Sequence, residues 1–221
     1  YQQKIGNGPF KGMRYINKAH GSALAPKIIG TYEKELHHVI YEIADKQYER
    51  IIDVGCAEGY YAVGLAYLYR IKGYKNFKVY AYDINKKAQI TLQKLASLNQ
   101  VSNLVEIKTL CTHEELNLSP ELKTFIICDI EGAELQLLDP LKASNLYNID
   151  MLIELHDGDE FFITVELIKR FKNTLTIKVI DFKKRSFHES PWWLFTRKFR
   201  HSSISEGRKK GLKWMYLRVK G

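Results

Sequence analysis

Arg50-Ile51-Ile52-Asp53-Val54-Gly55-Cys56-Ala57-Glu58-Gly59 is a short hydrophobic run that ends in an acid and a small-residue turn. A helical pattern follows from Glu58 to Tyr69. Gly55 and Gly59 let the backbone approach a ligand closely, because neither carries a side chain into the crossing. The spacing departs from the Gly-x-Gly-x-x-Gly of dinucleotide binders, and no Gly-Lys-Ser/Thr follows, which excludes a phosphate-gripping loop. About 24 residues past Gly59, Val79-Tyr80-Ala81-Tyr82-Asp83 ends a second strand in an acid. The two oxygens of an Asp at that place match a vicinal diol, such as that of a ribose.

The same strand-then-helix alternation runs through most of the 221 residues. It predicts strands at Arg50–Val54, Lys78–Asp83, Leu104–Leu110, Thr124–Ile130, Asp150–His156, Thr176–Phe182 and Leu212–Lys220. Helical patterns cover Tyr32–Lys46, Glu58–Tyr69, Lys86–Leu98, Ala133–Ala143 and Asp159–Phe171. The middle strands are continuous apolar runs, as expected when helices cover both faces. The expected fold class is α/β, a doubly wound, mostly parallel seven-stranded Rossmann-like sheet that binds ligands at the carboxyl ends of its strands. Residues 1–30, glycine-rich and without periodicity, read as an arm packed on one domain of residues 31–221. Lys183–Gly211 is long for a loop, and its tryptophans favour an ordered cap before the last strand.

Composition narrows the class. A mass of 25.8 kDa with 45% apolar and 27% charged residues is that of one soluble globular domain. No run reaches the ~18 apolar residues of a membrane span. No signal pattern is visible, and because the chain does not open on Met it is expected to lack some native N-terminal residues. Cys56, Cys111 and Cys128 fit no metal spacing and read as buried thiols of a cytoplasmic protein. The net charge of +9 is uneven: residues 167–221 carry 16 Lys/Arg against three acids, and the remainder is slightly acidic. Such asymmetry suggests an anionic partner or a solvated lysine-rich face.

Carboxylates crowd the next two strand ends. Asp129-Ile130-Glu131-Gly132-Ala133-Glu134 closes the fourth strand, and Ile153-Glu154-Leu155-His156-Asp157 closes the fifth. Neighbouring strands deliver their ends to one crevice. Glu134 reads either as part of that rim or as a helix first-turn acid favoured by the macrodipole. Cys111-Thr112-His113 follows the third strand, where Thr112 can act as an N-cap with Glu115 in the reciprocal position.

The glycine turn and Asp83 together, in this order, look like the first two motifs of class I S-adenosylmethionine-dependent methyltransferases. Asp129–Glu134 and Ile153–His156 closely resemble the FkbM family within that class. Gly30-Thr31-Tyr32-Glu33, Ala57-Glu58-Gly59-Tyr60-Tyr61 and Glu206-x-Arg208 resemble it as well, so the similarity spans roughly residues 30–221. It implies S-adenosylmethionine as cofactor, S-adenosylhomocysteine as product, and O-methylation of a hydroxyl on a sugar, glycan or other small metabolite. Cofactor contacts would come from Tyr32, Glu33, Asp53, Gly55, Ala57, Glu58, Gly59, Tyr60, Asp83, Ile84, Thr112 and Asp129.

A hydroxyl is a poor nucleophile and needs a base, or a metal that acidifies it. His156 is the first candidate base, with Asp129 and Glu131 placing the acceptor and Asp129 as the alternative base. Glu134, Glu154, His188, Trp192 and Arg208 are candidate acceptor contacts. Trp192 and Trp193 read equally as a platform for sugar rings or as core. Arg185, Arg197, Arg200 and Arg208 suit bidentate contact with phosphate or carboxylate on an anionic acceptor. A divalent cation held by Asp129 with Glu154, His156 or Asp157 is the less favoured arrangement. Two other readings compete: an RNA methyltransferase using the basic C-terminal quarter, and a non-catalytic cofactor-binding module. The acidic rim opposes a polyanion near the donor, so no specific nucleic-acid partner is expected.

Overall fold

A computed structural model describes residues 3–117, 121–158, 162–186, 189, 203–207 and 212–220. Its centre is a seven-stranded sheet, with strands β3 (Arg50–Val54), β4 (Lys78–Tyr82), β5 (Val105–Lys108), β6 (Thr124–Cys128), β7 (Asp150–Leu155), β8 (Leu175–Asp181) and β9 (Lys213–Val219). The spatial order is β5-β4-β3-β6-β7-β9-β8, and the first five strands in this order are parallel. Only β9 is reversed, running antiparallel to both β7 and β8. Two-residue strands β1 (Gln3–Lys4) and β2 (Arg14–Tyr15) form a separate small hairpin.

Successive residues of the central strands feed opposite cores, as the period of two requires. Ile51, Phe125, Ile127, Leu152, Trp214 and Tyr216 join one buried cluster. Ile52, Ile126, Cys128, Ile153, Met215 and Leu217 join the other. Helices α2 (His37–Lys46), α3 (Tyr60–Ile71) and α4 (Lys86–Leu98) follow α1 (Leu24–Ile29) in the chain. The short α5 (His113–Leu116) and α6 (Glu134–Leu137) precede α7 (Ile163–Phe171). Asn85 caps α4, its side chain accepting from the Lys87 and Ala88 amides at 3.0 and 3.4 Å.

Three helical expectations need correction. The pattern over Ala133–Ala143 yields only α6, because Pro140 has no N–H and disfavours helical geometry at the residue before it. Tyr32–Lys46 is interrupted at Glu33, whose φ of 45° precedes a 3-10 turn over Lys34–Leu36. Thr112 stands at the start of α5 without a side-chain cap bond, and Glu115 turns instead to the Tyr82 hydroxyl and Lys108. The first part of the expected helix from Asp159 lies outside the described residues.

Ile5, Phe10, Met13 and Tyr15 are buried in the same cluster as β3 and α3, so residues 3–15 share the main core. The three cysteines are free and buried. No helix among the described residues is long and apolar enough to cross a membrane.

Candidate active site

Between β3 and β6 the chain leaves the sheet in opposite directions, and the strand ends open there into a cleft of about 1070 Å³. That is just above the ~300–1,000 Å³ range of small-molecule sites. The turn after β3 forms its floor. The Gly55 and Cys56 amides donate to the Tyr82 carbonyl at 2.9 and 3.1 Å, and the Asp129 amide donates to the Val54 carbonyl at 2.9 Å. The turn is therefore clamped between β4 and β6. Gly55 has φ of 79°, and a Cβ there would collide with the Asp129 carbonyl oxygen.

Ala57 also adopts a positive φ, 47°, which aims its amide at Asp83 Oδ2 at 2.8 Å. The Asn85 amide holds Oδ1 at 2.7 Å. Both oxygens are thus oriented, each with lone-pair capacity left for a ligand. Asp53 lies beneath, 3% exposed, and its Oδ2 has no hydrogen-bond partner among the described residues. Burial, and after it the charges of Asp129 and Asp83, push its pKa up to about 7, although the Ala62 amide opposes the shift. A buried carboxyl with one idle oxygen on a cleft wall suits a cationic or hydrogen-bond-donating group of a ligand.

The rim is built around His156. Its Nδ1 lies 2.8 Å from Glu134 Oε1, and a carboxylate can only accept, so Nδ1 carries the hydrogen and Nε2 is the exchangeable position. Nε2 lies 3.7 Å from Asp129, 3.5 Å from Glu131 and 4.0 Å from Glu154. Glu134 is fully buried, and the Ile130 and Gly132 amides donate to the same Oε1 at 3.3 and 3.2 Å. Glu131, exposed and at φ of 54°, projects from the rim.

These neighbours set the charges. Burial lowers the His156 pKa, but the hydrogen bond and charge of Glu134, aided by Asp129 and Glu131, more than offset it and leave it raised. Burial, then the adjacent Asp129, drives Glu154 well above the carboxylate range, so it keeps a proton that it shares with Asp129. Asp129 is itself raised by burial, against the hydrogen bond from Glu154.

Glu134→Gln is expected to bring the His156 pKa down toward its ordinary ~6.5, read by NMR titration of the imidazole. A pKa raised on folding stabilises below the unfolded value, and that gain is lost as pH rises through the folded value. The variant should accordingly lose stability in mildly acid solution relative to the parent and converge with it in alkali. An unmoved imidazole titration would refute the coupling.

No protein-family model matches the sequence, and no curated protein matches it. Solved structures do. The chain is similar to the O-methyltransferase TomG of Streptomyces achromogenes, involved in tomaymycin synthesis and solved with SAM, with 12% identity and a TM-score of 0.54 over 83% of this chain and 78% of that one. It is similar to an rRNA methylase of Streptococcus thermophilus, with 13% identity and a TM-score of 0.54 over 85% and 98%. The O-methyltransferase of Bacillus cereus in complex with SAH aligns with 12% identity and a TM-score of 0.53 over 83% and 79%. The chain has a class I methyltransferase fold.

On this methyltransferase fold, Tyr32, Glu33, Asp53, Gly55, Ala57, Tyr60, Asp83, Ile84, Thr112, Asp129, Glu131, Glu154 and His156 all line the one cleft. Gly59 is not in the lining; it packs on α4, where a Cβ would come within 2.6 Å of Leu92 Cγ. Glu58 and Glu134 do not reach the cleft. Glu58 is fully buried against Lys27 and Tyr15, and Glu134 stands behind His156. Asp157 also lines the cleft, and its carboxylate accepts from the Thr164 amide at 2.9 Å and hydroxyl at 2.5 Å. Among the described residues, the group with metal-ligand geometry is Asp129, Glu154 and His156, whose ligand atoms lie within 4.8 Å of one another.

Arg185 is no acceptor clamp: it is 8% exposed and committed to Glu206 at 2.8 Å and to Glu35. His188, Trp192, Trp193, Arg197, Arg200 and Arg208 lie outside the described residues, as does most of the expected cap. Sequence reasoning passed over His20, Gly21, Ser22 and Lys27, which form a further part of the wall. The one available signal was Lys27 itself, a lysine inside the apolar run Pro26-Lys27-Ile28-Ile29.

Proposed function

We propose that the cleft binds S-adenosylmethionine and that the chain is an FkbM-like O-methyltransferase acting on a hydroxyl of a sugar, glycan or other small metabolite. The observation that carries this reading is the His156 ring, locked through Nδ1 on Glu134, with Nε2 facing a cleft that is floored by the glycine turn. The residues fit the cofactor. Asp83 presents two oriented oxygens to a ribose diol, Gly55 leaves room for close backbone approach, and the idle oxygen of Asp53 can accept from an ammonium. The shared fold of enzymes solved with SAM and SAH supports the same cofactor. The FkbM assignment rests on the two strand-end motifs.

Bound in the cleft, the cofactor supplies an electrophilic methyl group on a positive sulfonium. His156 Nε2 would take the proton of the acceptor hydroxyl, and Asp129 and Glu131 would place the acceptor molecule. The imidazolium so formed is stabilised by Glu134. His156 is the base rather than a metal-held hydroxide, so activity is expected to survive chelators. Loss of activity in chelator, restored by magnesium, would assign Asp129, Glu154 and His156 to a cation instead.

Calorimetry tests the cofactor reading. SAH should bind the parent, and Asp83→Ala should weaken it at least ~tenfold, about 1.4 kcal/mol. A folded variant with parental affinity would remove Asp83 from the site. A second reading, RNA methylation, is favoured by the basic residues after Leu167 and by the rRNA methylase among the structural relatives. Attraction of that kind should fade steeply with salt. Retained, structure-selective RNA binding at ~0.2 M salt would place RNA ahead of small acceptors.

A further inference from the structure

Glu58 sits in the glycine turn, yet its side chain points away from the cleft into the N-terminal segment. Three groups of that segment converge on it: the Tyr15 hydroxyl at 2.7 Å, the Lys27 ammonium at 2.5 Å and the His20 amide at 2.9 Å. Glu58 is fully buried and Lys27 is 3% exposed, with the ammonium 4.7 Å from the Tyr32 ring centre and 5.1 Å from that of Tyr60. Burial works against the Glu58 charge, but Lys27 and the other donors outweigh it and keep the carboxylate ionised.

The loop between Tyr15 and Pro26 has no fully buried residue, and only Ile16 and Leu24 touch the core at its two ends. Its middle, His20-Gly21-Ser22, nevertheless forms part of the cleft wall. Burial of apolar surface therefore does not hold this stretch. Beyond the core contacts at its ends, it is fixed by Glu58 and by the 3.1 Å contact of the His20 ring with Thr91.

We propose that Glu58 is a positioning residue for the cofactor, acting by docking residues 15–27 as the wall of the donor pocket. The proposal rests on the reading of this cleft as the S-adenosylmethionine site. It explains why a single residue serves two ends: its backbone belongs to the turn whose Ala57 amide orients Asp83, and its side chain closes the pocket. Docking and cofactor binding are then linked, and each must strengthen the other equally.

The test combines SAH calorimetry with amide hydrogen exchange on the full chain. In the parent, SAH should slow exchange across residues 16–25. Glu58→Gln, which keeps the shape and removes the charge, should speed that exchange and weaken SAH by roughly tenfold to a hundredfold. Tyr15→Phe deletes one of the three bonds and leaves the ion pair. It should remain folded and lose about threefold to tenfold in affinity, with faster exchange confined to the same residues. If Glu58→Gln fails to fold, Tyr15→Phe decides alone. Loosened exchange at residues 16–25 with parental SAH affinity would overturn the proposal while leaving the cofactor reading intact. Exchange at these residues unchanged by SAH or by the variants would also overturn it. A parent that binds no SAH would overturn the cofactor reading, and the proposal with it.

Discussion

His156→Ala is expected to lower turnover by roughly 10²–10⁴-fold, the usual loss for a general base, and to leave SAH affinity nearly unchanged. The separation follows from the geometry. Nε2 faces the acidic rim formed by Asp129, Glu131 and Glu154, whereas the groups proposed to hold the cofactor stand at the ends of β3 and β4. The raised pKa of His156 adds a pH signature. The proton must leave before the ring can act as base, so the parental rate should climb through a limb lying above the ordinary imidazole ~6.5. Asp129→Ala and Glu131→Ala should differ in kind, raising the acceptor KM as well, because a residue that places the acceptor does so in the ground state too. The measurement is a pH–rate series for all three variants with a sugar acceptor. Parental turnover by His156→Ala across pH ~6–9 would make Asp129 or His188 the next candidate base.

Gly55→Ala should abolish useful cofactor binding and destabilise the protein by at least ~3 kcal/mol. Two costs combine: φ of 79° is unfavourable for any L side chain, and the new methyl would strike the Asp129 carbonyl, which is backbone and cannot rotate aside. Gly73→Ala separates them. Its φ is nearly the same, 81°, with nothing within 4 Å of the added carbon, so it should cost only ~1 kcal/mol and spare SAH binding. Chemical denaturation and calorimetry on the pair give the answer. Equal losses in the two variants would mean that strain in φ, not the approach of β6, makes glycine necessary at position 55.

The sheet was legible because its information is local. Phe125-Ile126-Ile127-Cys128 and Met151-Leu152-Ile153 are short runs apolar at every position, as strands covered on both faces are, and β6 and β7 fall there. Strand ends at Val54, Tyr82, Cys128 and Leu155 then bring Asp83, Asp129 and His156 to one cleft without any further assumption. Helix lengths were less legible, since one Pro140 and one residue at positive φ, Glu33, cut patterns whose apolar spacing continues past them.

By itself, then, the sequence determined which residues stand at the carboxyl edge of the sheet and that a glycine turn crosses there. The partners of the charged side chains were decided by tertiary structure alone. Glu58 belongs by spacing with the cofactor residues, but it finds Lys27 across 31 positions. Arg185 has the chemistry of an anion clamp, but it is spent on Glu35 and Glu206. Glu134 turns from the acceptor to His156, and Asp157 to Thr164. The physical reason is common to Glu58, Arg185 and Glu134, all buried, whereas Asp157 is exposed and makes a contact seven residues along the chain. A charge withdrawn from water must be paired or hydrogen-bonded, and the partner within reach depends on which distant segments the core has already brought together.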